Sequence, residues 1–144
     1  MQDFPVFLNL DNAPPLIVGS GDLAQAKARL LLKRATKVAM AANAVPRALA
    51  SLVETGRVIM VAANPDLSQI RGRSLVISAT GDDAEDARIS AIARALGVPV
   101  NVPDRPELCT FSLPAIVDRG EVTVAIGTSG AVPVLAQRLR AWLE

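Results

Sequence analysis

The sequence has no histidine and no tyrosine, and only one cysteine (Cys109), one tryptophan and three phenylalanines. Without imidazole and with a single thiol, neither a zinc cluster nor a Ser-His-Asp triad can be assembled. One cysteine also excludes a disulfide framework. With no targeting or prenylation pattern, a reducing, cytoplasmic setting is expected. Neither sign of charge dominates: 15 Lys and Arg stand against 14 Asp and Glu, for a formal net charge of +1. There is therefore no basic footprint for nucleic acid, and none is expected as a partner. No apolar run approaches the roughly 18 residues of a membrane helix, so no membrane is expected either. Met1–Leu10 lacks the charged start and long apolar stretch of a signal peptide. What the chain does have is apolar content: 51% of its 144 residues are hydrophobic, ample for a core and incompatible with low-hydrophobicity disorder. That length suits one domain, or one domain with a small appendage.

Short apolar runs alternate with helix-period segments. Leu16–Gly19, Lys37–Ala42, Arg57–Ala62, Ser74–Ala79 and Val98–Val102 read as strands, mostly without internal polar alternation, as in strands buried on both faces. Helices are predicted over Asp22–Arg34, over Ala44 to Glu54 with Pro46 in the first turn, and over Asp83–Leu96, which Gly97 stops with a left-handed cap. One helical turn fits Asp66–Ile70. This alternation predicts an α/β fold with a parallel sheet. The last third differs. Thr110–Asp118 and Glu121–Thr128 read as an antiparallel hairpin turning at Asp118–Glu121, with Val122, Val124 and Ile126 alternating along one face. A helix from Pro133 to Trp142 follows. The division is placed at residues 1–112 and 113–144. Because a two-stranded ribbon is marginal alone, the second part is expected to pack on a partner chain.

Gly19-Ser20-Gly21-Asp22-Leu23-Ala24 is a G-x-G-x-x-A run that follows a strand and opens a helix, the context of a dinucleotide-binding turn. Gly19 permits the tight turn, Gly21 lets backbone approach a pyrophosphate, and Ala24 lets helix and strand pack closely. The N–H groups at Asp22 and Leu23 face the phosphates. The second strand ends at Asn43 and Ala44 in place of the Asp or Glu that usually meets the adenosine ribose. Asn43 can bond a hydroxyl but cannot repel a 2′-phosphate, and Arg47 lies close behind, so NAD is only slightly favoured over NADP. Thr80 and Gly81, after the fourth strand, are placed at the same sheet edge. Their backbone is expected to line the crevice, with Thr80 equally suited to capping its own loop.

Beyond the fifth strand, Asn101 and Asp104 lie where open α/β sheets bind substrates. Pro103 and Pro106 stiffen this loop. In a chain without His or Tyr, Asp104 is the best available proton acceptor; the plain alternative is an ordinary turn residue.

The Gly19–Ala24 turn, the Asn-Val-x-Asp stretch at Asn101–Asp104, the run Leu113–Arg119 and the run Gly127–Ala136 occur together, in this order, in one family. Over nearly its whole length the chain resembles the precorrin-2 dehydrogenase/sirohydrochlorin ferrochelatase module of siroheme synthase. The resemblance implies a Rossmann-type sheet followed by a small β-hairpin-plus-helix dimerisation region, in a homodimer that exchanges elements between protomers. It also implies NAD-dependent oxidation of precorrin-2 to sirohydrochlorin, then insertion of Fe²⁺ as a substrate to give siroheme. The family's key aspartate falls on Asp104, as general base and transient metal ligand. Cofactor contacts fall on Asp22, Leu23, Asn43 and Ala44, and a regulatory phosphorylation position falls on Thr128. A tetrapyrrole bearing eight carboxylates calls for cations, for which Arg105, Arg119 and Arg138 are candidates beside Asn101. Family members usually continue past the position of Glu144, so dehydrogenation is the activity implied first and metal insertion second. Two other readings stay open on the residues alone: an NAD-dependent dehydrogenase of another small molecule, and a non-enzymatic dinucleotide-sensing module.

Overall fold

A computed structural model of the chain describes residues 3–128 and 132–144. It divides into two compact units, Leu8–Thr110 and a smaller one formed by Phe111–Glu144 with the described part of Met1–Phe7.

The larger unit is an α/β sandwich. Strands β1 (Leu16–Val18), β2 (Val38–Ala41), β3 (Val58–Val61), β4 (Val76–Ser78) and β5 (Val100–Asn101) form one parallel sheet in the order β3-β2-β1-β4-β5. This is the doubly wound Rossmann arrangement, with the chain reversing its direction of growth between β1 and β4. Every residue of β1, β2 and β4 is buried, so neighbours pointing to opposite faces are both covered, as their unbroken apolar composition requires. Helix α1 (Asp22–Leu31) packs on β1, β2 and β4, and α4 (Asp83–Ala95) packs on β4 and β5. Leu16, Val18, Ile70, Val76, Ile89 and Val100 are central members of the core. Gly97 takes a φ of 67° just beyond α4, the left-handed stop expected of it.

The structure departs from expectation at four places. Strand β3 is an edge strand, and Ile59 is 41% exposed, so it is not buried on both faces. Pro46 precedes its helix: with ψ at 128° it caps a 3₁₀ turn, Arg47–Leu49, and the α-helix α2 runs only over Ala50–Glu54. Strand β5 shrinks to Val100–Asn101: the flanking Pro99 and Pro103 have no N–H to give a ladder, and the Val102 N–H donates to Cys109 Sγ at 3.1 Å. Thr110 does not begin the hairpin. Its N–H donates to the Val100 carbonyl at 2.8 Å and its Oγ1 accepts from the Val100 N–H at 2.8 Å, lacing the outer edge of β5. The single turn α3 (Leu67–Ile70) is held by an Asp66/Gln69 capping box.

In the smaller unit, β6 (Ala115–Arg119) and β7 (Val122–Ile126) form an antiparallel hairpin, and α5 (Pro133–Leu143) follows. The alternation read along β7 is only loosely expressed: Val122 is exposed, and Val124 and Ile126 are half-buried. Within this unit Ser112 donates to Asp3 at 2.5 Å. Trp142 and Val134 lie open on α5. Ser129–Ala131, inside the run Gly127–Ala136, lie outside the described residues. Among the described residues, no helix is long and apolar enough to cross a membrane.

Candidate active site

The carboxyl ends of β1 and β4 diverge at the reversal of strand order, and a cleft of about 360 Å³ opens there within the larger unit. Its lining includes Gly21, Asp22 and Leu23 from the α1 turn, Ser78 to Gly81 after β4, Asp83 and Asp86 from α4, and Pro103, Asp104 and Arg105 after β5.

Backbone geometry sets the base of this cleft. Gly19 has a φ of 116°, and a Cβ there would stand 2.3 Å from the Ala79 carbonyl oxygen, so the turn after β1 touches the main chain after β4. Gly21 differs. Its φ is −66°, it caps α1 with no side-chain hydrogen bond, and a Cβ there would meet nothing within 4 Å. The first-turn N–H groups of α1 lack intrahelical acceptors, and open space lies in front of them. A dinucleotide pyrophosphate fits this cradle: a side chain at Gly21 would fill it, and glycine leaves it open. Gln25 closes the turn by donating from Nε2 to the Ser20 carbonyl at 2.8 Å.

The N-terminus of α4 borders the same cleft but is already satisfied. Asp82 accepts from the N–H groups of Ala84 and Glu85 at 2.9 and 3.0 Å, and Asp83, Glu85 and Asp86 add negative charge in the first turn. Thr80 takes part in this closure. Its Oγ1 accepts from the Asp82 N–H at 3.0 Å and lies 2.9 Å from Asp86 Oδ1, to which it donates. The hydroxyl of Thr80 is thus committed within its loop.

Asp104 sits in a tight turn closed by the Arg105 N–H donating to the Val102 carbonyl at 3.2 Å. With Pro103 at the second position and φ of 63° at Asp104, this is a type II turn, whose third position ordinarily takes Gly or Asn. Asp104 is the one non-glycine residue with positive φ among the described residues. Such a conformation costs about 1–3 kcal/mol and persists only where its surroundings impose it. Two anchors do so. Beneath the turn, buried Cys109 accepts from the Val102 N–H at 3.1 Å, and its thiol faces the carbonyls of Val102 and Arg105 at 3.2 and 3.3 Å. Outside it, Arg105 pairs with Asp83 at 2.8 Å and Glu107 at 2.5 Å. Glu107, then Asp83, hold the guanidinium above its ordinary pKa, and Arg105 holds Glu107 below the usual carboxylate range.

The remaining sequence-predicted residues are more dispersed. Asn43 and Ala44 follow β2 at the same carboxyl edge and are exposed, outside the cleft lining. Asn101 is 8% exposed, with Nδ2 3.5 Å from Cys109 Sγ. Arg105 reaches the cleft with its charge shared by two carboxylates. In the smaller unit, Arg119 donates to the carbonyls of Leu143 and Glu144, Arg138 is exposed on α5, and Thr128 is half-buried after β7. Among the described residues, no three His, Cys, Asp or Glu side chains gather as a metal-holding group.

Sequence reasoning passed over Asp86 and Ser78. The signal was present: Asp86 shares a helical stripe with Ile89, Ser90 and Ala93, all buried, so a 3.6-residue period places one carboxylate on the inner face of α4.

Comparison with known proteins agrees with this geometry. Two siroheme synthases are similar along all of this chain. That of Psychrobacter sp. (strain PRwf-1) is 40% identical over 144 residues, covering 100% of this chain and 30% of the relative. That of Nitrosomonas eutropha (strain DSM 101675 / C91 / Nm57) is 42% identical over 147 residues, with the same coverage of 100% and 30%. The chain thus spans about 30% of the length of these relatives. Among solved structures, "SirC, precorrin-2 dehydrogenase" shares the fold with a TM-score of 0.73 at 21% identity, covering 98% of this chain and 69% of that one. Residues 6–115 match the family described as "Putative NAD(P)-binding". That stretch contains the Gly19–Ala24 turn, the whole parallel sheet and every residue of the cleft, and the chain belongs to this NAD(P)-binding family.

Proposed function

We propose that this chain oxidises precorrin-2 to sirohydrochlorin with NAD, using Asp104 as general base. One observation carries the reading: a single cleft is lined both by the open N-terminus of α1 and by an aspartate held in a costly conformation. The α1 cradle, Gly19, Gly21, Asp22 and Leu23, would hold the pyrophosphate, with Asn43 and Ala44 toward the adenosine end and the main chain at Thr80 and Gly81 along the other wall. When bound, NAD supplies a hydride acceptor. Removal of hydride from a ring carbon obliges a proton to leave the tetrapyrrole as well, and Asp104 receives that proton and passes it to water. The names and sequence similarity of the siroheme synthases support this substrate.

Insertion of Fe²⁺ is proposed as a second reaction at the same carboxylate. The metal is a substrate here: as it enters, two pyrrole N–H protons leave, and an oxygen ligand such as Asp104 escorts it without retaining it. Asn101, Arg119 and Arg138 are proposed to contribute to the tetrapyrrole cradle, with Arg105 contributing through its unshared N–H groups. A homodimer, with the hairpin and α5 exchanged between protomers, would cover the apolar side chains left open on α5; Thr128, after β7, is the proposed regulatory position.

The test is direct. Folded protein incubated with precorrin-2 and NAD should develop the absorbance of sirohydrochlorin. Asp104→Ala should lower that rate by roughly 10²–10⁴-fold while leaving NAD affinity unchanged. Absence of sirohydrochlorin would assign the cleft to another substrate, and indifference to Asp104→Ala would reduce the chain to a binding module.

A further inference from the structure

Asp86 has no part in the proton transfer proposed above, yet it is only 7% exposed and lines the cleft. Its Oδ1 accepts three hydrogen bonds, from the Ser78 hydroxyl at 2.6 Å, the Thr80 hydroxyl at 2.9 Å and the Thr80 N–H at 3.2 Å. Its Oδ2 accepts none from a described residue, and no described cation pairs with it. Oδ2 is not sealed from solvent; on a residue that lines the cleft it can accept from water or from a bound ligand. A residue needed only to brace the loop after β4 would meet the same three donors as a neutral amide. The charge and the accessible oxygen together suit a ligand that brings a donor.

The two helix ends narrow the class of donor. Phosphates are drawn to the open N-terminus of α1. They are turned away from α4, whose N–H groups are taken by Asp82 and whose first turn carries Asp83, Glu85 and Asp86. The part of a dinucleotide that lies on the α4 side is thus free of phosphate and rich in hydroxyls. A bound dinucleotide divides around the reversal of strand order, one half toward β2 and the other toward β4. The half toward β4 shares the cleft with Asp104, so it is the reacting half.

We propose that Asp86 is a binding residue for the ribose on the nicotinamide side of the cofactor, Oδ2 accepting from a ribose hydroxyl while Oδ1 holds Ser78 and Thr80. This rests on the dinucleotide reading of the cleft, and the experiment separates the two. Asp86→Asn keeps an acceptor for Ser78 and Thr80 but turns an N–H₂ donor toward the cleft. By calorimetry, NAD should bind this variant about tenfold more weakly, the loss of one charge-assisted hydrogen bond. ADP, which has no second ribose, should bind variant and parent alike. NAD affinity equal to that of the parent overturns the inference and leaves the dinucleotide site standing. An equal loss for ADP and NAD overturns it too, because Asp86 would then act through loop shape alone. Failure of the unaltered chain to bind either ligand overturns the underlying site. Should Asp86→Asn not fold, a dinucleotide lacking the hydroxyls of its nicotinamide ribose puts the question to the unaltered protein. It should bind about tenfold more weakly than NAD, and equal affinity overturns the proposal.

Discussion

Helices α1 and α4 both start at the carboxyl edge of the sheet and both border one cleft, but they treat their first-turn N–H groups in opposite ways. At α1 the cap is Gly21, which offers no side chain, and the N–H groups face open space. At α4 the cap is Asp82, which accepts from Ala84 and Glu85 and is followed by three more carboxylates. Both ends carry the partial positive charge of a helix N-terminus; only one leaves it for a ligand. Polarity along the cleft thus comes less from the fold, which supplies two similar helix ends, than from one residue type at each cap.

Substitutions at and around the two helix ends test this difference. The largest effect is expected just ahead of α1, at Gly19→Ala, where φ of 116° and the 2.3 Å approach to the Ala79 carbonyl both oppose a side chain. Urea unfolding should show a loss of about 3 kcal/mol. A value within experimental error of the parent would mean that the two loops can part. Next, Gly21→Asp gives α1 the type of cap that α4 has. Its Cβ meets nothing within 4 Å, so stability should hold or rise by a few tenths of a kcal/mol. NAD affinity should fall roughly 100-fold, about 2.7 kcal/mol, as the new carboxylate takes the N–H groups and repels the pyrophosphate. Calorimetry with NAD reads this directly. Asp82→Ala removes the cap of α4 and should cost about 1 kcal/mol, seen as an earlier urea midpoint with an unchanged slope.

The smallest effect concerns Glu85, whose carboxyl is held below its ordinary value first by the hydrogen bond from Arg88. A depressed carboxyl pKa stabilises the fold above the ordinary glutamate value of 4.5 and loses that contribution as pH falls through the folded value. The pair is part-exposed, so Glu85→Gln should cost only a few tenths of a kcal/mol at neutral pH. Parent and variant should converge in acid. A difference that grows on acidification would contradict the pairing.

How much of this was legible beforehand depends on whether the cause was local. Leu16–Val18 and Val38–Ala41 are apolar without interruption, and burial on both faces follows from that alone. The Gly19–Ala24 turn announced itself because a left-handed φ and a bare cap both select glycine. The edge position of β3 was not legible, because strand order is a property of the whole sheet and Ile59 looks like any core residue. The late start of the hairpin escaped for a similar reason: only the assembled structure shows Thr110 bonding Val100 across the outer edge of β5. At the candidate site, Asp104 stood out by its prolines. The positive φ it adopts did not, and neither did the two carboxylates that share Arg105, since those partners lie 22 positions before it (Asp83) and two after (Glu107). Asp86 was not legible because Asp83, Glu85 and Asp86 all suit the positive end of the helix equally well, and only burial separates Asp86 from the other two.

The contact between Gly19 and Ala79 also bears on redesign. Main chain meets main chain there, so no side chain can be trimmed to deepen the cleft. Attempts to fit this scaffold to a differently phosphorylated or bulkier nucleotide therefore have their leverage at Leu23 on the cleft wall and at Asn43 beyond it, where exposed side chains can be exchanged while the depth of the groove stays as the sheet sets it.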